Sequence, residues 1–157
     1  ALELARRHPR IAGSLVLVDG ALDQYSTARD VERTELWRIL ADAPYDEAMP
    51  AFYSQFFPDP RDADLATRVV RHAARTPEHA AIASWRASLT ANVPALANQL
   101  RQPALYVNSS NNTRTAADVG ELLPRAEFAQ VAGSGHFIQL EAPDQLVAMI
   151  RRFVDRL

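Results

Sequence analysis

Two hydrophobic patterns alternate along the chain. Leu15-Val16-Leu17-Val18 and Ala104-Leu105-Tyr106-Val107 are uninterrupted apolar runs. Such continuity, unlike strict alternation, marks strands covered on both faces, as in a parallel sheet between helices. Each run stops at polar residues: Asp19-Gly20 after the first, and Asn108-Ser109-Ser110-Asn111-Asn112 after the second. A third strand is expected over 127–131, before Gly133-Ser134-Gly135-His136. Helical spacing fills the remainder. The opening Ala1-Leu2-Glu3-Leu4-Ala5-Arg6-Arg7-His8 has the composition of a helix interior and is stopped by Pro9. Thr115 is placed to cap a helix running to Leu123, ahead of Pro124. The clearest helix begins at Pro143-Asp144, with Leu146, Met149, Ile150, Phe153, Val154 and Leu157 predicted to form one apolar face. Gln145, Arg151, Arg152 and Asp155 fall on the opposite, watery side.

Residues 22–102 have another texture, with no continuous β-branched run. Short helices are expected over 31–40, 52–57, 62–75, 77–91 and 94–100, with apolar stripes from Val31, Trp37 and Leu40 and from Ile82, Trp85 and Leu89. Aromatic side chains gather here, at Tyr25, Trp37, Tyr45, Phe52, Tyr53, Phe56, Phe57 and Trp85. Strand, helical insertion, strand, helix, strand, helix is the order of an α/β sheet of about three parallel strands. The predicted core is 1–21 with 103–157, and 22–102 is the predicted insertion.

Composition narrows the function classes. The 157 residues are 48% hydrophobic and 23% charged, the balance of a globular protein. A net charge of −2, with arginines scattered along the chain, gives no basic stripe for nucleic acid or an anionic membrane surface. No apolar run approaches the ~20 residues of a membrane span. Zero Cys excludes disulfides, thiolate metal sites and a cysteine nucleophile. His72 and His79 lack the carboxylate spacing of a zinc site, so neither metal nor other cofactor is expected.

Ligands of an open parallel sheet bind outside the carboxyl ends of its strands. Asp19, the Asn111-Asn112 pair and His136 occupy those ends in turn. A carboxylate and a histidine converging there are the orienting and basic parts of a hydrolytic triad, which also needs a nucleophile. Ser109, Ser110 and Ser134 read as loop hydroxyls, because none sits on a strained strand-to-helix elbow. Glu141 and Asp118 read as helix-capping carboxylates.

These residues resemble a known family. Gly133-Ser134-Gly135-His136-Phe137-Ile138-Gln139-Leu140-Glu141-Ala142-Pro143 is similar to the histidine loop and final helix of the α/β-hydrolases. Leu15-Val16-Leu17-Val18-Asp19 resembles their sixth strand, and the segment from Pro103 to Asn112 their seventh strand and acid loop. Residues 22–102 fall where the family carries its helical cap. The resemblance implies the carboxyl-terminal half of that fold, with His136 as general base and the nucleophile upstream of Ala1. The family commonly has Asp where this chain has Asn112. An uncharged amide there favours the wrong imidazole tautomer, a change that costs about four orders of magnitude in a triad. Some members place the acid after the sixth strand, where Asp19 stands, so Asp19 is the working acid.

Two readings follow. In one, the protein hydrolyses an ester, lactone or related acyl bond of a small apolar substrate; an aspartate nucleophile would shift this to dehalogenation or epoxide opening. In the other, it is a non-catalytic ligand-binding member of the fold. The expected partners are a small-molecule substrate and the amino-terminal half of the fold, without which 1–157 is expected to be inactive and unstable. No targeting signal is visible, and a cytoplasmic location is the default expectation.

Overall fold

A computed structural model describes residues 1–22, 42–57 and 59–157. In chain order the elements are α1 (Leu2–Arg7), β1 (Leu15–Val18), α2 (Tyr45–Ser54), a 3-10 turn (Pro60–Asp62), α3 (Ala63–Ala73), α4 (Glu78–Thr90), α5 (Val93–Asn98), β2 (Ala104–Asn108), α6 (Ala116–Leu122), β3 (Ala126–Gln130), α7 (Ile138–Glu141) and α8 (Pro143–Val154). The helix expected over 31–40, and Tyr25 with it, lie outside the described residues, as does the Leu89 side chain. Two compact units are formed, one by Ala1–Asp23 with Asn92–Leu157 and the other by Gln24–Ala91.

The first unit holds a sheet of order β1-β2-β3, parallel throughout, with Val18 opposite Val107 and Asn108 opposite Gln130. Alternate side chains of β2 enter opposite layers. Leu105 and Val107 pack with Val131, Ile138, Leu146 and Phe153 beneath α8. Tyr106 packs with Leu22, Ala97, Val119 and Leu123, on the face covered by α1, α5 and α6. Every residue of β2 is buried, as an uninterrupted apolar run requires. β1 departs from that expectation: Leu15 is buried, whereas Val16, Leu17 and Val18 are half-buried. Its one pairing among the described residues is with β2, so the opposite edge has no strand to cover it.

The helix ends follow local chemistry. Thr115 and Asp118 form a reciprocal capping box: the Asp118 amide donates to Thr115 Oγ1 at 3.2 Å, and the Thr115 amide donates to Asp118 Oδ2 at 2.7 Å. In α8, Leu146 and Phe153 are buried, but Val154 is 50% exposed and Leu157 62% exposed, so the apolar face is narrower than the spacing predicts. Val154 is the last residue of α8 and Leu157 lies beyond it, so neither is followed by a further helical turn.

The second unit, described by itself, is helical. The helix expected over 52–57 instead runs from Tyr45 to Ser54, opening after Pro44 with Asp46 and Glu47 in its first turn and retaining Pro50 inside. Phe52 makes edge-to-face contacts with Phe56 at 5.3 Å and with Trp85 at 5.7 Å between ring centroids. Tyr45 OH donates to the Thr76 carbonyl at 2.9 Å, tying α2 to the turn that follows α3. Of the aromatic residues gathered here, Phe57 is buried and Tyr45, Phe52, Tyr53 and Phe56 are half-buried. Among the described residues no helix is long and apolar enough to cross a membrane.

The α8 packing leads to a contrast between adjacent residues. Phe153→Ala should cost about 3–5 kcal/mol through loss of burial and cavity formation. Val154→Ala should stay within about 0.5 kcal/mol, both being read by urea unfolding.

Candidate active site

The carboxyl ends of the three strands deliver three loops to one place. β1 ends in Asp19, whose backbone amide still donates to the Val107 carbonyl at 2.7 Å while its φ of 47° turns the chain out of the strand. That left-handed conformation is unusual for a residue with a Cβ and is tolerated best by Asp, Asn and Gly. Tyr106 OH holds the exit of the turn, donating to the Gly20 carbonyl at 2.6 Å. The Asp19 carboxylate is thereby set against the loops that follow β2 and β3.

Three donors converge on it. His136 Nδ1 lies 2.8 Å from Asp19 Oδ2. Asp19 Oδ1 accepts from the Ser109 amide and from Asn112 Nδ2, each at 3.0 Å. An ionised carboxylate only accepts, so the imidazole presents Nδ1–H to it. The Asp19 side chain is 6% exposed and the His136 side chain 43% exposed. Burial acts to raise the Asp19 carboxyl pKa, but the hydrogen bonds from His136, Ser109 and Asn112 outweigh it and hold the group below its ordinary value. The buried group is therefore a carboxylate, with its desolvation offset by charge-assisted hydrogen bonds.

Each loop is braced by hydrogen bonds that do not involve the imidazole. Asn108 closes β2 and donates through Nδ2 to the Asn112 carbonyl at 3.1 Å and the Arg114 carbonyl at 2.9 Å, folding the acid loop back on the strand. Its register partner Gln130 donates to the Ser109 carbonyl at 3.1 Å. Ser110 Oγ and its amide both donate to the Ser134 carbonyl, at 2.6 and 3.1 Å, which joins the loop after β2 to the one after β3. Glu141 accepts from the amides on either side of His136, Gly135 at 2.5 Å and Phe137 at 2.9 Å. A Cβ on Gly135 would lie 2.9 Å from Glu141 Oε2, so a larger residue there would push the Glu141 carboxylate out of its present position. Gly133, at φ 67°, makes the turn that begins the loop.

Asp19, Asn112 and His136 are thus brought into one hydrogen-bonded group. Asn112 contacts the carboxylate rather than the imidazole ring among the contacts described. Asp118 is spent in the capping box of α6. Ser109 is buried and holds Asp19 through its backbone, and the Ser110 hydroxyl is a loop brace. His72 and His79 lie exposed on α3 and α4, and His8 caps the end of α1. Among the described residues no three His, Asp or Glu side chains gather as a metal site. Sequence reasoning passed over Asn108 and Gln130, although a polar residue closing each of two neighbouring strands was the available signal. Glu141 is a capping group as expected, accepting from the Phe137 amide at the start of α7, and it reaches further back to the Gly135 amide of the histidine loop.

No family model and no curated protein matches the chain. Among solved structures, the chain is similar to the enol-lactonase from Burkholderia xenovorans LB400, at 16% identity and a TM-score of 0.74 over 98% of this chain and 60% of that one. It is similar to a hydrolase from Pseudomonas aeruginosa PA01, at 20% identity and a TM-score of 0.74 over 98% of this chain and 59% of that one. The 2-hydroxy-6-oxo-6-phenylhexa-2,4-dienoate hydrolase from Rhodococcus sp. strain RHA1 matches at 19% identity and a TM-score of 0.62, again over 98% and 59%. The shared architecture is the α/β-hydrolase fold, and the chain carries part of it, spanning about three fifths of the length of these proteins.

Two stability measurements test the carboxylate cluster. A carboxyl pKa held low in the folded state stabilises above the unfolded value, about 4, and that contribution is lost as pH falls through the folded value. The stability advantage of the protein over Asp19→Asn should therefore be full at pH 6 and shrink as pH falls below about 4, in urea unfolding across that range. Asn112→Asp should replace a donor to Asp19 with a second carboxylate. It should destabilise by roughly 1–3 kcal/mol at pH 7, with the deficit narrowing on acidification as the pair shares a proton.

Proposed function

We propose that the protein is an α/β-fold hydrolase that cleaves an ester, lactone or related acyl bond of a small, largely apolar substrate. The observation that carries this reading is the 2.8 Å contact between the buried Asp19 carboxylate and His136 Nδ1 at the carboxyl ends of the strands. In this reading Asp19 is the orienting acid. It selects the tautomer that carries the proton on Nδ1 and stabilises the imidazolium formed when His136 Nε2 takes the nucleophile's proton. His136 then returns that proton to the leaving group. Asn112 serves as a positioning residue, holding Asp19 Oδ1 so that Oδ2 stays aimed at the ring.

The nucleophile and the oxyanion donors belong, in the same proposal, to the amino-terminal half of the fold, seated along the edge of β1 that carries no strand among the described residues. Similarity to proteins described as an enol-lactonase and as an N-acyl homoserine lactone degrading enzyme supports an acyl substrate. The non-catalytic reading rested on Asn112 standing where an acid was expected. With Asp19 already in contact with His136, the amide at 112 has a use that leaves the acid in place.

The test is steady-state hydrolysis of a short-chain aryl ester and an unsubstituted lactone by the full-length protein. His136→Ala should lower kcat by about 10⁴-fold or more, and Asp19→Asn by a comparable factor, with KM changed far less. Turnover retained by His136→Ala would sink the proposal. A full-length protein that binds such compounds without turning them over would favour the non-catalytic reading.

A further inference from the structure

At the opposite end of the same sheet lies a cavity of about 630 Å³, formed wholly within the first unit. Arg6 at the end of α1, Arg101 before β2 and Arg125 before β3 line it, together with Asn98, Gln99 and Gln102. No carboxylate lines it. Arg6 is ion-paired, its Nε and Nη2 donating to Glu3 at 2.9 and 2.8 Å, and it shares that carboxylate with Arg7. Arg101 and Arg125 have no carboxylate within ion-pairing distance among the described residues; the single contact between the two is Arg125 Nη1 donating to the Arg101 carbonyl at 3.1 Å. Gln102 is buried, and its Nε2 donates to the Ala5 carbonyl at 3.0 Å, which pins α1 against the approach to β2 and fixes the wall between Arg6 and Arg101.

We propose that this cavity is a binding site for a small multivalent organic anion, a phosphate ester or a polycarboxylate. Guanidinium groups without carboxylate partners, brought from separate segments to one concavity, leave positive charge there that an anion with two or more oxyanion groups would complement. Guanidinium forks match the oxygens of phosphate and carboxylate alike, so both sources share the recognising chemistry. The volume falls within the range of small-molecule sites. Asn98 supplies a neutral hydrogen-bonding group beside the charges, a mixture suited to a polar ligand rather than an apolar one. β2 is five residues long, so the site lies roughly 17 Å from the Asp19–His136 pair, across the length of the strands. The anion site is therefore separate from the proposed hydrolytic centre and does not depend on it.

The test is calorimetric titration of the full-length protein with pyrophosphate and, separately, with citrate. Saturable one-site binding of at least one probe is expected. Binding by pyrophosphate alone identifies phosphate esters as the source, and binding by citrate alone identifies polycarboxylates. Arg101→Gln and Arg125→Gln should each weaken binding at least tenfold, since each removes a charge-assisted contact. Arg101→Gln keeps the carbonyl that Arg125 contacts, and both side chains are exposed, so neither substitution removes a packing element. Arg68→Gln, which removes one exposed arginine from α3, should leave the affinity within twofold. Absence of saturable binding by both probes, affinity unchanged in both cavity variants, or an equal loss in Arg68→Gln would overturn the proposal.

Discussion

The arrangement of the strand-end loops depends on one buried negative charge. Asp19 is taken out of water at the end of β1 and kept ionised by a backbone amide, a side-chain amide and an imidazole. A carboxylate so placed is stable only while all its donors stay in position, because an unpaired buried charge costs several kcal/mol. The loops after β2 and β3 are thus held to the end of β1 by the same requirement that positions His136. Structure and chemistry share a single group here, and the left-handed turn at Asp19 is the backbone cost of aiming it.

The braces around that charge explain why the loops have little freedom. Asn108 and Gln130 stand opposite each other at the ends of neighbouring strands, and both donate to carbonyls of the acid loop. Ser110 ties that loop to the Ser134 carbonyl, and Glu141 grips the amides before and after His136. None of these contacts touches the imidazole, yet together they fix the two ends of the loop that carries it. Rigid support of this kind is what a general base needs, since its reach is set to within a fraction of an ångström.

Much of this was legible from residue patterns. β1 and β2 were legible because uninterrupted apolar runs have few other uses, and α6 because Thr115 and Asp118 form a capping pair that precedes a proline stop. The meeting of Asp19 with His136 was legible once both were placed at carboxyl ends of one parallel sheet. The extent of α2 was not, because Pro50 reads as a boundary yet sits inside the helix. The exposure of Val154 and Leu157 was hidden for another reason: periodicity reports which face a residue takes, but not how deeply that face is covered at the end of the helix. The role of Asn112 lay between these cases. Its position in the acid loop was plain, but its partner is set by the reach of its amide across the sheet to Asp19, which no local pattern encodes.

Asp19 holds the His136 imidazole by its Nδ1–H. The most direct measurement is NMR of the ring nitrogens and their protons at neutral pH, with His136 assigned by substitution. The predicted result is a downfield Nδ1-bound proton on His136 that vanishes in Asp19→Asn while the backbone spectrum stays folded. A neutral His136 carrying its proton on Nε2, or a ring spectrum indifferent to Asp19→Asn, would contradict the account.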